Sequence, residues 1–234
     1  SNHLPTNLSS LFKMLKTKPA ALIFDMDGTL LDTEPLYTDA TQRVLDPYGA
    51  TYTMELKQRC IGGDSHKSAE IVIGEFDLPM TSDEFLSQRE SYLVELFRDA
   101  PEMPGAEDFI EALASKGVTM GLATSSHRHL VDIKFSHRSW AKHFAAMVCG
   151  DDPGLKKGKP APDIFLLCAE RLGADASQCI AFEDSPNGVT AATAAGMQVI
   201  AINSPYVPAE ALSGALCAIS HYSELDELLA LINK

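Results

Sequence analysis

Five short apolar runs of strand character recur along the chain: "AALIFD" (20–25), "VTMGLATS" (118–125), "AAMVCG" (145–150), "QCIAFED" (178–184) and "MQVIAI" (197–202). Helical patterns lie between and after them. Pro104-Gly105 precedes "AEDFIEALASKG", Pro162 precedes "DIFLLCAERLG" and Pro186 precedes "NGVTAATAAG", while Gly117, Gly173 and Gly196 close these segments. Proline suits a first helical turn and glycine the position just past the last one. Strands that alternate with helices lie parallel, joined by crossovers that cover the sheet. The expected fold is an α/β, doubly wound parallel-sheet core of Rossmann-like type. In "AATAAG" (191–196) the small side chains let a helix pack closely on the sheet.

Residues 26–117 are too long for a single crossover, and most of them have helical periodicity. Leu36, Ala40 and Val44 recur at helical spacing, and "TSDE" (81–84) offers a capping box, Thr81 to Glu84, for a helix carrying Phe85, Leu86, Tyr92, Leu93, Leu96 and Phe97. The expected organisation is a core of residues 1–34 and 104–234 with an all-helical cap domain, 35–103, inserted after the first strand. Ligands of open α/β sheets bind beyond the carboxyl ends of the strands. A module inserted there would act as a lid.

A hydrophobic fraction of 45% supports one substantial core with an accessory domain. We expect a chain that folds alone and acts as a monomer. The net charge of −13 argues against nucleic acid and anionic membrane surfaces as partners, and leaves small ligands open. No run approaches the ~20 apolar residues of a bilayer span, and "SNHLPTNLSSLFKMLKTKPA" lacks the unbroken apolar stretch of a signal peptide. A cytoplasmic location is expected. The five cysteines are scattered and contain no CxxC, so reduced, mostly buried thiols are expected instead of a disulfide framework or thiolate metal site.

The first run ends in "IFDMDGTLLDTE" (23–34), which places Asp25, Asp27, Asp32 and Glu34 behind a buried strand. Asp27-Gly28 could be a mere turn, and Asp32 and Glu34 could be solvated. A second acidic pair, Glu183-Asp184, ends another strand run, and parallel strands deliver their carboxyl ends to one sheet edge. Gathered carboxylates repel one another unless a cation sits among them, and an all-oxygen donor set suits Mg²⁺. The same edge should receive "ATSS" (123–126) and "GKPAPD" (158–163), whose hydroxyls, backbone N–H groups and lysine can hold a phosphate. A metal, a phosphate cradle and an aspartate able to attack phosphorus together point to phosphoryl transfer.

These motifs resemble those of the haloacid dehalogenase superfamily, in the subgroup with a helical cap after the first strand. The family pattern hhhDxDGT is matched by "LIFDMDGT", its hydroxyl by Thr124 in "GLATSS", its lysine by Lys159 and its terminal acidic pair by "FEDSPNG". The resemblance implies that Asp25 is the nucleophile and Asp27 the general acid/base. Thr124 and Lys159 complete the catalytic set and hold the phosphate, with Ser125, Ser126 and His127 beside them. Mg²⁺ would be bound by Asp25, the Asp27 carbonyl and Asp184, with Glu183 acting directly or through water. In capped relatives the loop matching "CIGGDSHKSAE" reads the leaving group, which makes Gly63, Asp64, Ser65, His66 and Lys67 specificity candidates.

"GDDPGLKKGKPAPDIF" together with "ATSS" is similar to phosphatases of small metabolites such as pseudouridine 5′-phosphates and glycerol phosphates. The expected function is Mg²⁺-dependent hydrolysis of a small-molecule phosphate ester (sugar, polyol or nucleoside monophosphate) through an aspartyl-phosphate. A phosphomutase of the β-phosphoglucomutase kind shares every motif and is the alternative. His127, His129, His137 and His143 do not have the spacing of a zinc set. Within "LKKGK" (155–159) one functional lysine beside solvated ones is the simpler reading.

Overall fold

A computed structural model describes residues 18–60 and 64–232. The chain divides into two compact units, one made of the residues through Asp32 together with those from Pro101 onward, the other Thr33–Ala100.

The first unit is built on a six-stranded, wholly parallel sheet of β1 (Ala21–Phe24), β2 (Met120–Ala123), β3 (Phe144–Val148), β4 (Cys179–Glu183), β5 (Gln198–Ile202) and β6 (Cys217–Ile219), in the order β3-β2-β1-β4-β5-β6. Five of these strands match the apolar runs. The sixth does not, because three residues at a sheet edge are too few to display a period. The central strand β1 pairs on both sides, Phe24 opposite Leu122 and Phe182, so strand direction and register bring the ends of β1, β2 and β4 level.

Both faces of the sheet are covered, as a buried parallel sheet requires. On one face Ile23, Ala123, Val148 and Ala181 meet Ile164, Phe165 and Cys168 of helix Asp163–Arg171 and Val189, Ala191 and Ala192 of helix Pro186–Ala194. The small residues of "AATAAG" serve that close approach. On the other face Phe24 stacks on Phe182 at 4.3 Å between ring centroids, and Phe109 packs edge-on to Phe24 at 6.3 Å. Phe109 belongs to helix Ala106–Ser115, whose buried residues Ala106, Phe109, Ile110 and Leu113 follow the i, i+3, i+4, i+7 spacing of an amphipathic helix. All five cysteines are buried free thiols.

The second unit is helical: α1 (Glu34–Leu45), α2 (Met54–Cys60), α3 (Ser65–Phe76) and α4 (Ser82–Leu96). Its core gathers Val44, Leu45, Leu56, Ala69, Val72 and Phe85. The Thr81–Glu84 capping box is present with both bonds made, Thr81 N–H to the Glu84 carboxylate at 2.8 Å and Glu84 N–H to Thr81 Oγ1 at 3.2 Å. The connecting segments run side by side in the first unit, where Asp32 N–H donates to Pro101 O at 2.7 Å and Met103 N–H to Leu30 O at 2.8 Å. With the four helices above, the first unit's helices in chain order are α5 (Ala106–Ser115), α6 (Arg128–Phe135), α7 (Asp163–Arg171), α8 (Pro186–Ala194) and α9 (Asp226–Leu231). Among the described residues no helix is long and apolar enough to cross a membrane.

Candidate active site

Asp25 stands one residue beyond β1, where its N–H still donates to Phe182 O at 3.0 Å and so holds its carboxylate at the carboxyl edge of the sheet. The chain then turns back on itself. Met26 O accepts from the N–H groups of Thr29, Leu30 and Leu31, and Gly28 takes φ +80°. A Cβ at Gly28 would fall 2.1 Å from Asp184 Oδ2, so the residue at this turn must be a glycine both for its dihedral and for the space Asp184 fills. The turn places Thr29 Oγ1 3.1 Å from both Asp25 Oδ2 and Asp184 Oδ1. Tyr222 secures it from behind, its buried hydroxyl donating to Thr29 O at 2.7 Å.

Glu183 ends β4 and Asp184 follows it. Lys159 Nζ reaches this edge and donates to Asp25 Oδ1 at 2.9 Å, Glu183 Oε1 at 2.5 Å and Ala123 O at 3.1 Å. Burial alone would lower the Lys159 pKa, but the Asp25 and Glu183 carboxylates outweigh it and raise the value, so the ammonium stays charged. The other oxygen of Glu183 accepts from Asp184 N–H at 3.2 Å and Ser185 Oγ at 3.3 Å.

Carboxylate oxygens of Asp25, Glu183 and Asp184 lie within 4.8 Å of one another. Burial, then the charge of Asp25, pushes Glu183 up to about 7 against the pull of Lys159. Burial, then Asp25 and Glu183, holds Asp184 well above the ordinary aspartate range. One lysine does not neutralise three acids, and a cation among them is what would keep Asp184 ionised. The all-oxygen donors fit Mg²⁺. Asp25, Glu183 and Asp184 are the residues that could hold such an ion.

The phosphate-side residues divide. Thr124 is buried at the end of β2, and its Oγ1 accepts from Ser126 N–H at 3.1 Å, which leaves the hydroxyl proton for an incoming oxygen. Ser125 is exposed. The Ser126 hydroxyl donates to Asp27 Oδ2 at 2.7 Å. The Asp27 side chain in turn accepts from Lys134 Nζ at Oδ1, 2.7 Å away. His127 sits exposed at the N-cap of α6, its ring 6.2 Å from that of His129.

In the helical unit Asp64 caps α3, accepting from Lys67 N–H at 2.8 Å, and His66 Nδ1 lies 3.4 Å from Ser82 Oγ and 3.5 Å from Asp83 Oδ1. Gly63 lies outside the described residues. Sequence reasoning missed Thr29 and Lys134. The first stood in plain view inside "DGT"; the second left a signal in α6, where Val131, Lys134 and Phe135 are the buried positions and one of them is a lysine.

The sequence model described as haloacid dehalogenase-like hydrolase matches residues 22–202. A probable pseudouridine-5′-phosphatase of Drosophila melanogaster is 45% identical over 197 residues, covering 82% of this chain and 85% of that protein. (DL)-glycerol-3-phosphatase 2 of Arabidopsis thaliana is 36% identical over 214 residues, covering 89% and 85%. The crystal structure of a β-phosphoglucomutase, so named provisionally, from Thermotoga maritima superposes with a TM-score of 0.77 at 33% identity, covering 89% of this chain and 97% of that one. The chain belongs to the haloacid dehalogenase-like hydrolase family.

Proposed function

We propose that this phosphoric monoester hydrolase is a Mg²⁺-dependent phosphatase of small phosphorylated metabolites, a sugar, polyol or nucleoside monophosphate, that works through an aspartyl-phosphate on Asp25. The observation that carries the reading is the convergence at one sheet edge of a carboxylate, a charged lysine 2.9 Å from it, and two further acids. The names of relatives as phosphatases of pseudouridine phosphate and glycerol 3-phosphate support the substrate class.

In this mechanism an Asp25 oxygen attacks phosphorus, forming the Asp25 O–P bond as the bond to the leaving oxygen breaks. Asp27 gives that oxygen its proton. Asp27 then takes a proton from water, whose oxygen attacks phosphorus and returns Asp25 as a free carboxylate, so no net proton is held by the enzyme. Lys159, the Thr124 hydroxyl and the Ser125 N–H hold the non-bridging oxygens as charge moves onto them. Mg²⁺, held by Asp25, the Asp27 carbonyl and Asp184, would offset the repulsion between nucleophile and phosphate dianion. Glu183 keeps Lys159 in place.

The test is phosphate release from a panel of sugar, polyol and nucleoside monophosphates, with EDTA and with restored Mg²⁺, and a mass measurement of the acid-quenched enzyme. Metal-dependent release and a phosphate mass on the peptide carrying Asp25 are expected. Turnover in chelator, or phosphate trapped on another residue, overturns the proposal. Substitution of His66 or Lys67 is expected to re-rank the panel without altering Mg²⁺ affinity.

A further inference from the structure

We infer that Lys134 is a positioning residue for Asp27, fixing with the Ser126 hydroxyl the orientation from which Asp27 passes its proton to the leaving oxygen. The inference rests on the phosphatase reading above. Lys134 is fully buried, on the same face of α6 as Val131 and Phe135. A leucine or methionine there would need no counter-charge, whereas an ammonium out of water must be compensated. The compensation is specific. Lys134 Nζ donates to Asp27 Oδ1 at 2.7 Å and to Ser126 Oγ at 3.0 Å, and Ser126 Oγ donates to Asp27 Oδ2 at 2.7 Å.

Both Asp27 oxygens are thus held in a closed triangle by groups from two other elements, the β2–α6 loop and α6. A carboxylate with one such bond can still rotate about its side-chain torsions; with two from different directions it cannot. General acid transfer depends on that alignment. The end of α6 is anchored without the Lys134 side chain, because Arg138 Nε donates to the Lys134 carbonyl at 3.1 Å and Arg138 Nη1 to Glu102 at 2.9 Å. Replacing the ammonium therefore leaves these anchors of the helix in place and removes one of the two bonds that orient Asp27.

The experiment compares Lys134→Met, Asp27→Asn and the double variant, with Ser126→Ala as a second single variant, by kcat/KM on two esters. One is p-nitrophenyl phosphate, whose leaving group needs no proton; the other is the fastest alkyl monophosphate of the panel. This constant reports steps through departure of the leaving group. Lys134→Met is expected to lose about 10²-fold on the alkyl ester and under about threefold on the aryl ester, chiefly in kcat. Within Asp27→Asn it should add almost nothing. Ser126→Ala should show the same discrimination, more weakly, and decides the matter if Lys134→Met does not fold. Equal losses on both esters in Lys134→Met and Ser126→Ala, with discrimination intact in Asp27→Asn, overturn the inference and spare the phosphatase reading. Equal losses in Asp27→Asn itself overturn the acid role and the inference with it.

Discussion

Lys159 Nζ donates to Asp25 Oδ1 across 2.9 Å, and both side chains are nearly buried. The pair brings a cation to the carboxylate proposed to carry the phosphoryl group, and the same ammonium also holds Glu183. Removing it leaves acids facing one another with no counter-charge. Lys159→Met is expected to lose about 10³-fold in kcat and, measured without metal, about 3 kcal/mol or more in stability. Activity within about tenfold of the parent would remove Lys159 from the chemistry.

The convergence of Asp25, Glu183 and Asp184 is legible in the amino-acid sequence, because parallel strands send their ends to one edge and these residues close β-like runs, whereas Lys159 reaches that edge from the loop between β3 and α7. Side-chain direction is not legible. Ser126 and Asp27 stand in the expected loops, yet their hydroxyl and carboxylate turn to each other, since a buried lysine on a neighbouring helix offers a stronger partner than solvent. Nothing in the local spacing of Asp27 announces a residue 107 positions later. The strand Cys217–Ile219 is hidden for the opposite reason, being too short to show a period.

The space around the acids depends on two glycines. A Cβ at Gly188 would lie 1.9 Å from the Glu183 carboxyl carbon, and one at Gly28 would lie 2.1 Å from Asp184 Oδ2. Gly188→Ala is expected to cost about 1–3 kcal/mol by overpacking, with a fall in kcat as Glu183 moves off Lys159. Gly28→Ala should lower stability through its positive φ and also weaken Mg²⁺ binding, because Asp184 is the group displaced. Calorimetric titration with Mg²⁺ and thermal melts separate the two. Unchanged metal affinity in Gly28→Ala contradicts Asp184 as a ligand.

Glu183 is raised to about 7 in the fold from an ordinary value of 4.5, so between these values the folded chain holds a proton that the unfolded chain has released. Stability then falls as pH rises through that window, by roughly 3 kcal/mol if the whole shift is realised. Asp184 acts in the same direction. In EDTA the melting temperature should decline from about pH 5 to pH 8, Mg²⁺ should flatten the decline, and Glu183→Gln should reduce it. A chelated protein whose melting temperature does not respond to Mg²⁺ at pH 8 counts against a cation among these acids.

Hydrolase and mutase share the transfer to Asp25 and differ in whether water or a second sugar hydroxyl accepts the phosphoryl group. A mutase must also grip the second phosphate of a bisphosphate, which calls for arginine or lysine held ready for it. In the helical unit several of these cations are otherwise engaged. Arg43 pairs with Asp39 at 3.1 Å, Arg59 with Glu75 at 2.7 Å, and buried Lys57 with Glu34 at 3.3 Å and Thr38 at 2.6 Å. The Arg89 guanidinium lies over the Tyr37 ring at 5.4 Å. Drawing Arg43, Arg59 or Lys57 to a phosphate would sacrifice an existing ion pair, whereas the buried Arg89 Nε has no hydrogen-bond partner among the described residues. Stoichiometric phosphate release from a monophosphate, without activation by a sugar bisphosphate, is therefore expected. Phosphorus NMR of a sugar 1-phosphate incubated with enzyme and Mg²⁺ checks this directly: sugar 6-phosphate appearing faster than inorganic phosphate would replace the hydrolase with a mutase, and water at Asp27 with a sugar hydroxyl.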